Sequence, residues 1–187
     1  MLDVDGTVYQ TLDLKERAWH ATTSNDRSIG IEIANVGAQG YRSNDEDLAV
    51  DAGVFARWYE VADDGHAQLT VPAEEEKSIV DLALANSQRV RVVRGICQGR
   101  ELLQHDYTDA QYEALGSLCA TLCSLFPRIP VDYPAATSKL DDDVLETWCG
   151  LIGHSHIQTN KVDPGPAFDW PRLRSLIVQD ASKRAKL

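Results

Sequence analysis

Thr108-Asp109-Ala110-Gln111 has the form of a capping box, in which a threonine hydroxyl and a glutamine side chain satisfy two of the N–H groups left free at a helix start. Tyr112, Leu115, Leu118, Cys119, Leu122, Leu125 and Phe126 then follow at helical spacing as far as Pro127. The pattern predicts a helix with one apolar face, and such a face needs a second layer to pack on. Asp169 is placed to cap another helix, which carries Leu173, Leu176 and Ile177. Lys183, Arg184 and Lys186 come near its C-terminal end, where cations suit the helix dipole.

The remaining layer is expected from strands. Leu2 to Leu14 reads as a β-hairpin, because Asp5-Gly6 sits between Val4 and the β-formers Thr7-Val8-Tyr9. Ser28-Ile29-Gly30-Ile31-Glu32-Ile33-Ala34-Asn35 alternates as a half-buried strand does, with the isoleucines on one face and Glu32 on the other. A short strand through Leu151-Ile152 is expected to lead into His154. The stretch from about 37 to 104 is the least legible. It holds a polar segment, Ser43-Asn44-Asp45-Glu46-Asp47, a helical candidate from Ala73 to Ala85 and a β-like Val90-Arg91-Val92-Val93. It reads as an elaboration within a single domain of 187 residues, since it shows no convincing core of its own.

A formal net charge of −11 argues against a general nucleic-acid binder. No apolar run approaches the ~20 residues that span a bilayer. Met1 to Gly6 has neither the basic region nor the apolar stretch of a signal peptide, and the compartment stays open. Cys97, Cys119, Cys123 and Cys149 form no Cys-x-x-Cys pair and read as buried free thiols.

The run Gly153-His154-Ser155-His156-Ile157, followed by Lys161-Val162-Asp163-Pro164-Gly165-Pro166, sets an imidazole, an amine and a carboxylate within ten positions. Neutral His nitrogen and Asp oxygen are zinc donors, and a catalytic zinc keeps three protein ligands plus a water. His154 and Asp163 are candidates for two of the three. The prolines and glycine after Asp163 restrict the backbone there. Lys161 could stabilise charge developing on a substrate oxygen. The same run also reads as a surface loop with a Lys-Asp pair and a Gly-Pro turn. Glu32 likewise reads either as a cleft carboxylate or as an exposed strand residue, and His66 and His105 read as surface residues.

Taken in order, Asp5-Gly6-Thr7-Val8-Tyr9-Gln10, Arg17-Ala18-Trp19-His20-Ala21, Asn25, Ser28-Ile29-Gly30-Ile31-Glu32, Phe126-Pro127, Gly153-His154 and Lys161 with Asp163 to Trp170 resemble the zinc-dependent N-acetylmuramoyl-L-alanine amidases, relatives of phage lysozyme-type amidases and peptidoglycan-recognition proteins. The resemblance implies an α/β fold with a central mixed β-sheet flanked by helices. It implies hydrolysis of the amide between N-acetylmuramic acid and L-alanine in peptidoglycan or muropeptides. Carried over, His154 and Asp163 are Zn2+ ligands, and Glu32 and Lys161 are the catalytic carboxylate and lysine. Trp19, His20 and Asn25 border the substrate, although Trp19 and His20 read equally well as a tryptophan packed on the sheet with a hydrogen-bonded histidine.

The chain departs from that pattern in two places. His156 stands where the family usually has Asp, and a structural role is expected for it. The family's first zinc histidine comes from a strand before the opening hairpin, so the chain reads as N-terminally incomplete, short of its first core strand and of one ligand. A peptidoglycan-binding module without catalysis is therefore an alternative, which the presence of Glu32 and Lys161 disfavours. A muramidase using Glu32 and Asp163 as a carboxylate pair would leave His154 and Lys161 unexplained.

Overall fold

The sheet comes from the stretch least legible in the sequence. The structure, a computed structural model, describes residues 1–40 and 52–184, so the Ser43–Asp47 segment and Lys186 lie outside the described residues. Strands β1 (Gln39–Gly40), β2 (Tyr59–Val61), β3 (His66–Leu69), β4 (Arg89–Cys97) and β5 (Arg100–His105) form an antiparallel sheet in the order β1-β5-β4-β3-β2. The Val90–Val93 signal is the first half of β4. Gln98-Gly99 joins β4 to β5 with both residues at positive φ, as a two-residue type I′ hairpin requires.

The N-terminal segment makes a smaller patch. Leu2 bridges Val8 antiparallel and Ile33 parallel, with Leu2 N–H on Glu32 C=O at 2.8 Å and Ala34 N–H on Leu2 C=O at 2.8 Å. The Asp5-Gly6 turn closes it through Gly6 N–H to Asp3 C=O at 3.0 Å. Ile31 and Ile33 face the core and Glu32 is exposed, as the alternation predicts, but the strand expected over 28–35 and the hairpin expected over 2–14 are reduced to the single bridges at Ile33 and Val8.

Five α-helices complete the described residues: α1 (Ala52–Ala56), α2 (Leu82–Ser87), α3 (Asp109–Leu125), α4 (Asp142–Thr147) and α5 (Trp170–Arg184). The capping box of α3 forms, and its members also tie down the N-terminal patch. Thr108 Oγ1 donates to Val4 C=O at 2.8 Å and Gln111 Nε2 donates to Ala34 C=O at 2.7 Å. Asp169 caps α5 through Arg172 N–H at 2.9 Å.

Helix α3 packs on α5, with Leu115, Cys119, Leu173 and Ile177 buried together with Leu2. A second cluster under the sheet joins Phe55, Tyr59, Leu69, Val90 and Leu103 to Val4. The fold is thus α/β, with the sheet on one side of the N-terminal patch and the long helix pair on the other.

Other expectations also need correction. The helix expected from Ala73 to Ala85 is broken into a 3₁₀ turn, Glu76–Ser78, and α2. Asp81 takes a non-helical φ and caps α2, and its own N–H is bound by Asp5 Oδ2 at 2.7 Å, so the chain cannot run through it as one helix. Leu151-Ile152 joins no ladder; Leu151 N–H goes to Asp132 C=O instead. Among the thiols, Cys97 and Cys119 are buried, Cys123 is half-buried and Cys149 is exposed, all of them free.

His105 is also not at the surface. It is 2% exposed at the end of β5, stacked on Tyr59 at 4.3 Å and tilted against Phe55 at 4.4 Å. Neither ring nitrogen has a hydrogen-bond partner among the described residues. Burial among these rings pushes its pKa down to about 4, because the charged imidazolium would lose its hydration there. The folded state therefore prefers the neutral ring, and the stability tied to it is present above pH ~6.5 and is lost as pH falls towards 4. Denaturant titrations of wild type and His105→Phe should show the wild type losing about 3 kcal/mol more over that window. Parallel curves for the two proteins would show that His105 does not titrate in this way.

Candidate active site

Residues 126–169 carry little regular structure, so their backbone groups need partners of other kinds. Part of the answer is local. A 3₁₀ turn, His154–His156, places Ile157 N–H on His154 C=O at 2.9 Å and Gln158 N–H on the same oxygen at 3.0 Å. Lys161 N–H returns to Gln158 C=O at 3.3 Å, and Ser155 N–H closes the loop onto Asp163 C=O at 2.8 Å. The approach is tight enough that a Cβ on Gly153 would lie 2.5 Å from Pro164 Cδ.

The other part comes from the sheet. Gln104 on β5 donates through Nε2 to Pro164 C=O at 2.9 Å and accepts from Ala167 N–H at 3.1 Å. Tyr107 Oη donates to the same Pro164 oxygen at 2.9 Å. Gly165, at φ +90°, lies so close to Gln104 that a Cβ would fall 2.1 Å from its Oε1. Gln98, at the β4–β5 turn, bonds the opposite side of the loop.

Within this frame His154 Nδ1 and Asp163 Oδ2 meet at 3.1 Å, and His154 Nε2 lies 2.5 Å from Gln158 Oε1. Two donors each about 2.1 Å from one tetrahedral ion would be roughly 3.4 Å apart, so the pair has the types and spacing of two zinc ligands. The described residues do not complete such a centre, because no group of three His, Cys, Asp or Glu among them is placed to hold a metal.

His156 does not help. Its Nδ1 accepts from Gly153 N–H at 3.0 Å, which leaves Nε2 to donate to Ala136 C=O at 2.8 Å. Burial lowers its pKa and keeps that neutral form.

The other site candidates are placed as follows. Glu32 is exposed, and its carboxylate makes no hydrogen bond or ion pair among the described residues. The half-buried Lys161 uses its backbone in the loop, and its ammonium is equally unpaired among the described residues. Neither is hydrogen-bonded to the His154–Asp163 pair.

Trp19, His20 and Asn25 form a separate corner. Asn25 Oδ1 accepts from His20 N–H at 3.0 Å and Ala21 N–H at 2.6 Å, so its oxygen shapes the turn from inside. His20 Nε2 lies 2.9 Å from Ser28 Oγ, which itself donates to Ser24 C=O at 2.6 Å. The histidine is therefore the donor in that pair, and its buried Nδ1 has no partner among the described residues. Trp19 is 79% exposed, with the Arg17 guanidinium 4.0 Å from its ring centre.

Sequence reasoning missed Gln98, Gln104, Tyr107 and Gln158. Only two of them left a trace: Gln158 stands four residues after His154, and Gln98-Gly99 separates two runs able to form strands.

Residues 1–166 match the family model described as N-acetylmuramoyl-L-alanine amidase. The chain is similar to the 1,6-anhydro-N-acetylmuramyl-L-alanine amidase AmpD of Salmonella typhimurium, with 36% identity over 78 residues that cover 41% of this chain and 32% of the relative. The protein of the same name from Escherichia coli K12 is 32% identical over 77 residues, again 41% of this chain and 32% of the relative. The chain spans about a third of the length of the curated relatives it matches. No solved structure matches it significantly.

The packing of the loop on the sheet can be read from two glycines of similar backbone conformation. Gly165 and Gly37 have φ of +90° and +87°, but a Cβ at Gly37 would meet nothing within 4 Å. In chemical denaturation, Gly165→Ala should cost about 1–3 kcal/mol more than Gly37→Ala, the difference being the clash with Gln104. Equal losses would mean that the loop does not press on β5.

Proposed function

The chain belongs to the N-acetylmuramoyl-L-alanine amidase family, and on that premise we propose that it hydrolyses the amide between the lactyl group of N-acetylmuramic acid and L-alanine in peptidoglycan or muropeptides. The observation that carries this reading is the apposition of His154 and Asp163 at 3.1 Å, on a braced loop that also bears Lys161. We take residues 1–187 as one amidase domain, with 37–104 as an elaboration that supports the loop.

In the proposed reaction Glu32 takes a proton from the attacking water as its oxygen bonds to the amide carbon. The carbonyl electrons move onto oxygen, where the Lys161 ammonium stabilises them. Collapse of the tetrahedral intermediate breaks the C–N bond, and the proton held by Glu32 passes to the leaving amine. The products are the lactyl carboxylate and the free amino group of L-alanine. The unpaired state of both side chains among the described residues supports these roles, since neither has to leave a partner to act. Trp19 offers an exposed aromatic face to a sugar or peptide, with His20 and Asn25 shaping the turn that presents it.

Zn2+ is the cofactor proposed for His154 and Asp163. With two protein donors in place among the described residues, binding should be weak, and His154→Ala or Asp163→Ala should remove it. Calorimetric titration measures this directly, and stoichiometric, tight zinc binding by the His154→Ala variant would exclude the site.

Cleavage is tested by mass spectrometry of a purified muropeptide and of intact peptidoglycan after incubation with the chain. Release of the stem peptide with a free L-alanine amine is expected. Glu32→Gln should slow release about 10²–10⁴-fold. Lys161→Met should slow it about 10²–10³-fold. Retention on insoluble peptidoglycan with no amine released would instead favour a binding module, the reading that the two-donor metal pair also suits.

A further inference from the structure

Gln98 occupies a position that does not suit it. At φ +53° it stands first in a two-residue turn where Asn, Asp or Gly is the usual choice, because a Cβ with a longer side chain is strained there. Its side chain spans the gap to the loop. Nε2 lies 2.6 Å from Ser155 C=O, 2.9 Å from Gln158 C=O and 3.1 Å from Lys161 C=O, so its two N–H groups serve three acceptors with one of them shared. Oε1 accepts from Lys139 N–H at 3.2 Å, and Gln98 N–H itself donates to Thr137 C=O at 2.9 Å. One primary amide thus joins the residue after His154, the residue facing the His154 ring and the backbone of Lys161. A carboxylate of the same shape would repel all three oxygens, and an amide one methylene shorter would not reach them.

We infer that Gln98 is a positioning residue for the candidate active site. Its amide holds the His154–Lys161 turn in the shape that brings His154 to Asp163 and sets the root of Lys161. The inference rests on the amidase reading for its catalytic consequence and on the hydrogen bonds alone for its structural one. It assigns a role to the tip of the β4–β5 hairpin, which otherwise serves only to reverse the chain. The residue is the one that the loop requires and the hairpin does not.

The test uses Gln98→Glu, which keeps the shape and loses the donor, and Gln98→Asn, which suits the positive φ and loses the reach. Amide hydrogen exchange by NMR is followed at Ser155, Ile157 and Gln158, with Leu115 and Cys119 of α3 as internal controls for global stability. Both variants should exchange about tenfold or more faster at the three loop amides, with the α3 amides unchanged. With a muropeptide substrate, kcat should fall about 10- to 100-fold while KM stays within about twofold, because displaced groups lose transition-state contacts and not substrate affinity.

Loop protection equal to wild type in either variant overturns the inference, whatever the activity. Faster loop exchange with an unchanged kcat overturns the positioning role and leaves Gln98 a structural brace. Faster loop exchange in a protein whose wild type has no turnover upholds the hold on the turn and removes the amidase reading instead.

Discussion

A buried carboxylate joins the two halves of this fold. The Asp106 side chain is 3% exposed, and an ionised group that far from water is tolerated only with partners on its oxygens. Arg91 of β4 donates to Oδ2 through Nε at 2.9 Å and Nη2 at 2.5 Å. Tyr112 of α3 donates its hydroxyl to Oδ1 at 2.8 Å, and Tyr107 N–H reaches the same oxygen at 2.8 Å. Tyr112 Oη in turn accepts from Asp169 N–H at 2.7 Å, at the cap of α5. Burial, with the Asp106 charge beside it, pushes the Tyr112 phenol far above its ordinary range, so it remains a donor. Sheet, helix pair and the last turn before α5 are therefore fixed to one another through a single side chain. Removing one partner of such a group exposes the full desolvation cost of the rest.

The loop that carries His154, Lys161 and Asp163 hangs between that anchor and the hairpin tip. It has almost no repeating backbone pattern, and its carbonyls are satisfied from outside by Gln98, Gln104 and Tyr107. This divides labour along the chain. Residues 153–169 bring His154, Lys161 and Asp163 together, and residues 89–107 bring the groups that hold that loop still, while Glu32 comes from the N-terminal patch. Rigid support of this kind matters most where chemistry depends on placement to within about an ångström.

Much of the frame was legible in the sequence. Helix α3 could be read from its capping box and spacing, α5 from Asp169 and its leucines, and the Glu32 alternation from three isoleucines, because each signal is local and periodic. The sheet was not. Strands β1, β2 and β3 are two to four residues long, too short for an alternation to stand out. β4 was seen only as far as Val93, because Gly95 interrupts its apolar pattern. His105 was read as a surface residue because its burial is imposed by Phe55 and Tyr59, some fifty residues away. At the site, His154 and Asp163 were legible as donor types within one run. Gln98 and Gln104 were not, since a glutamine has no distinctive chemistry until the carbonyls it serves are brought to it.

By itself the sequence determined which groups are present, where the two long helices begin and where the first of them ends, and that an imidazole, an ammonium and a carboxylate share one loop. These follow from hydrogen-bonding and spacing rules that act within a few residues. Only the tertiary structure decided that a β-hairpin from the central segment lies across that loop, that His154 faces Asp163, and that His105 is sealed among aromatic rings. Those outcomes depend on burial and on the satisfaction of backbone polar groups between segments distant in the chain, and neither is encoded in any local pattern.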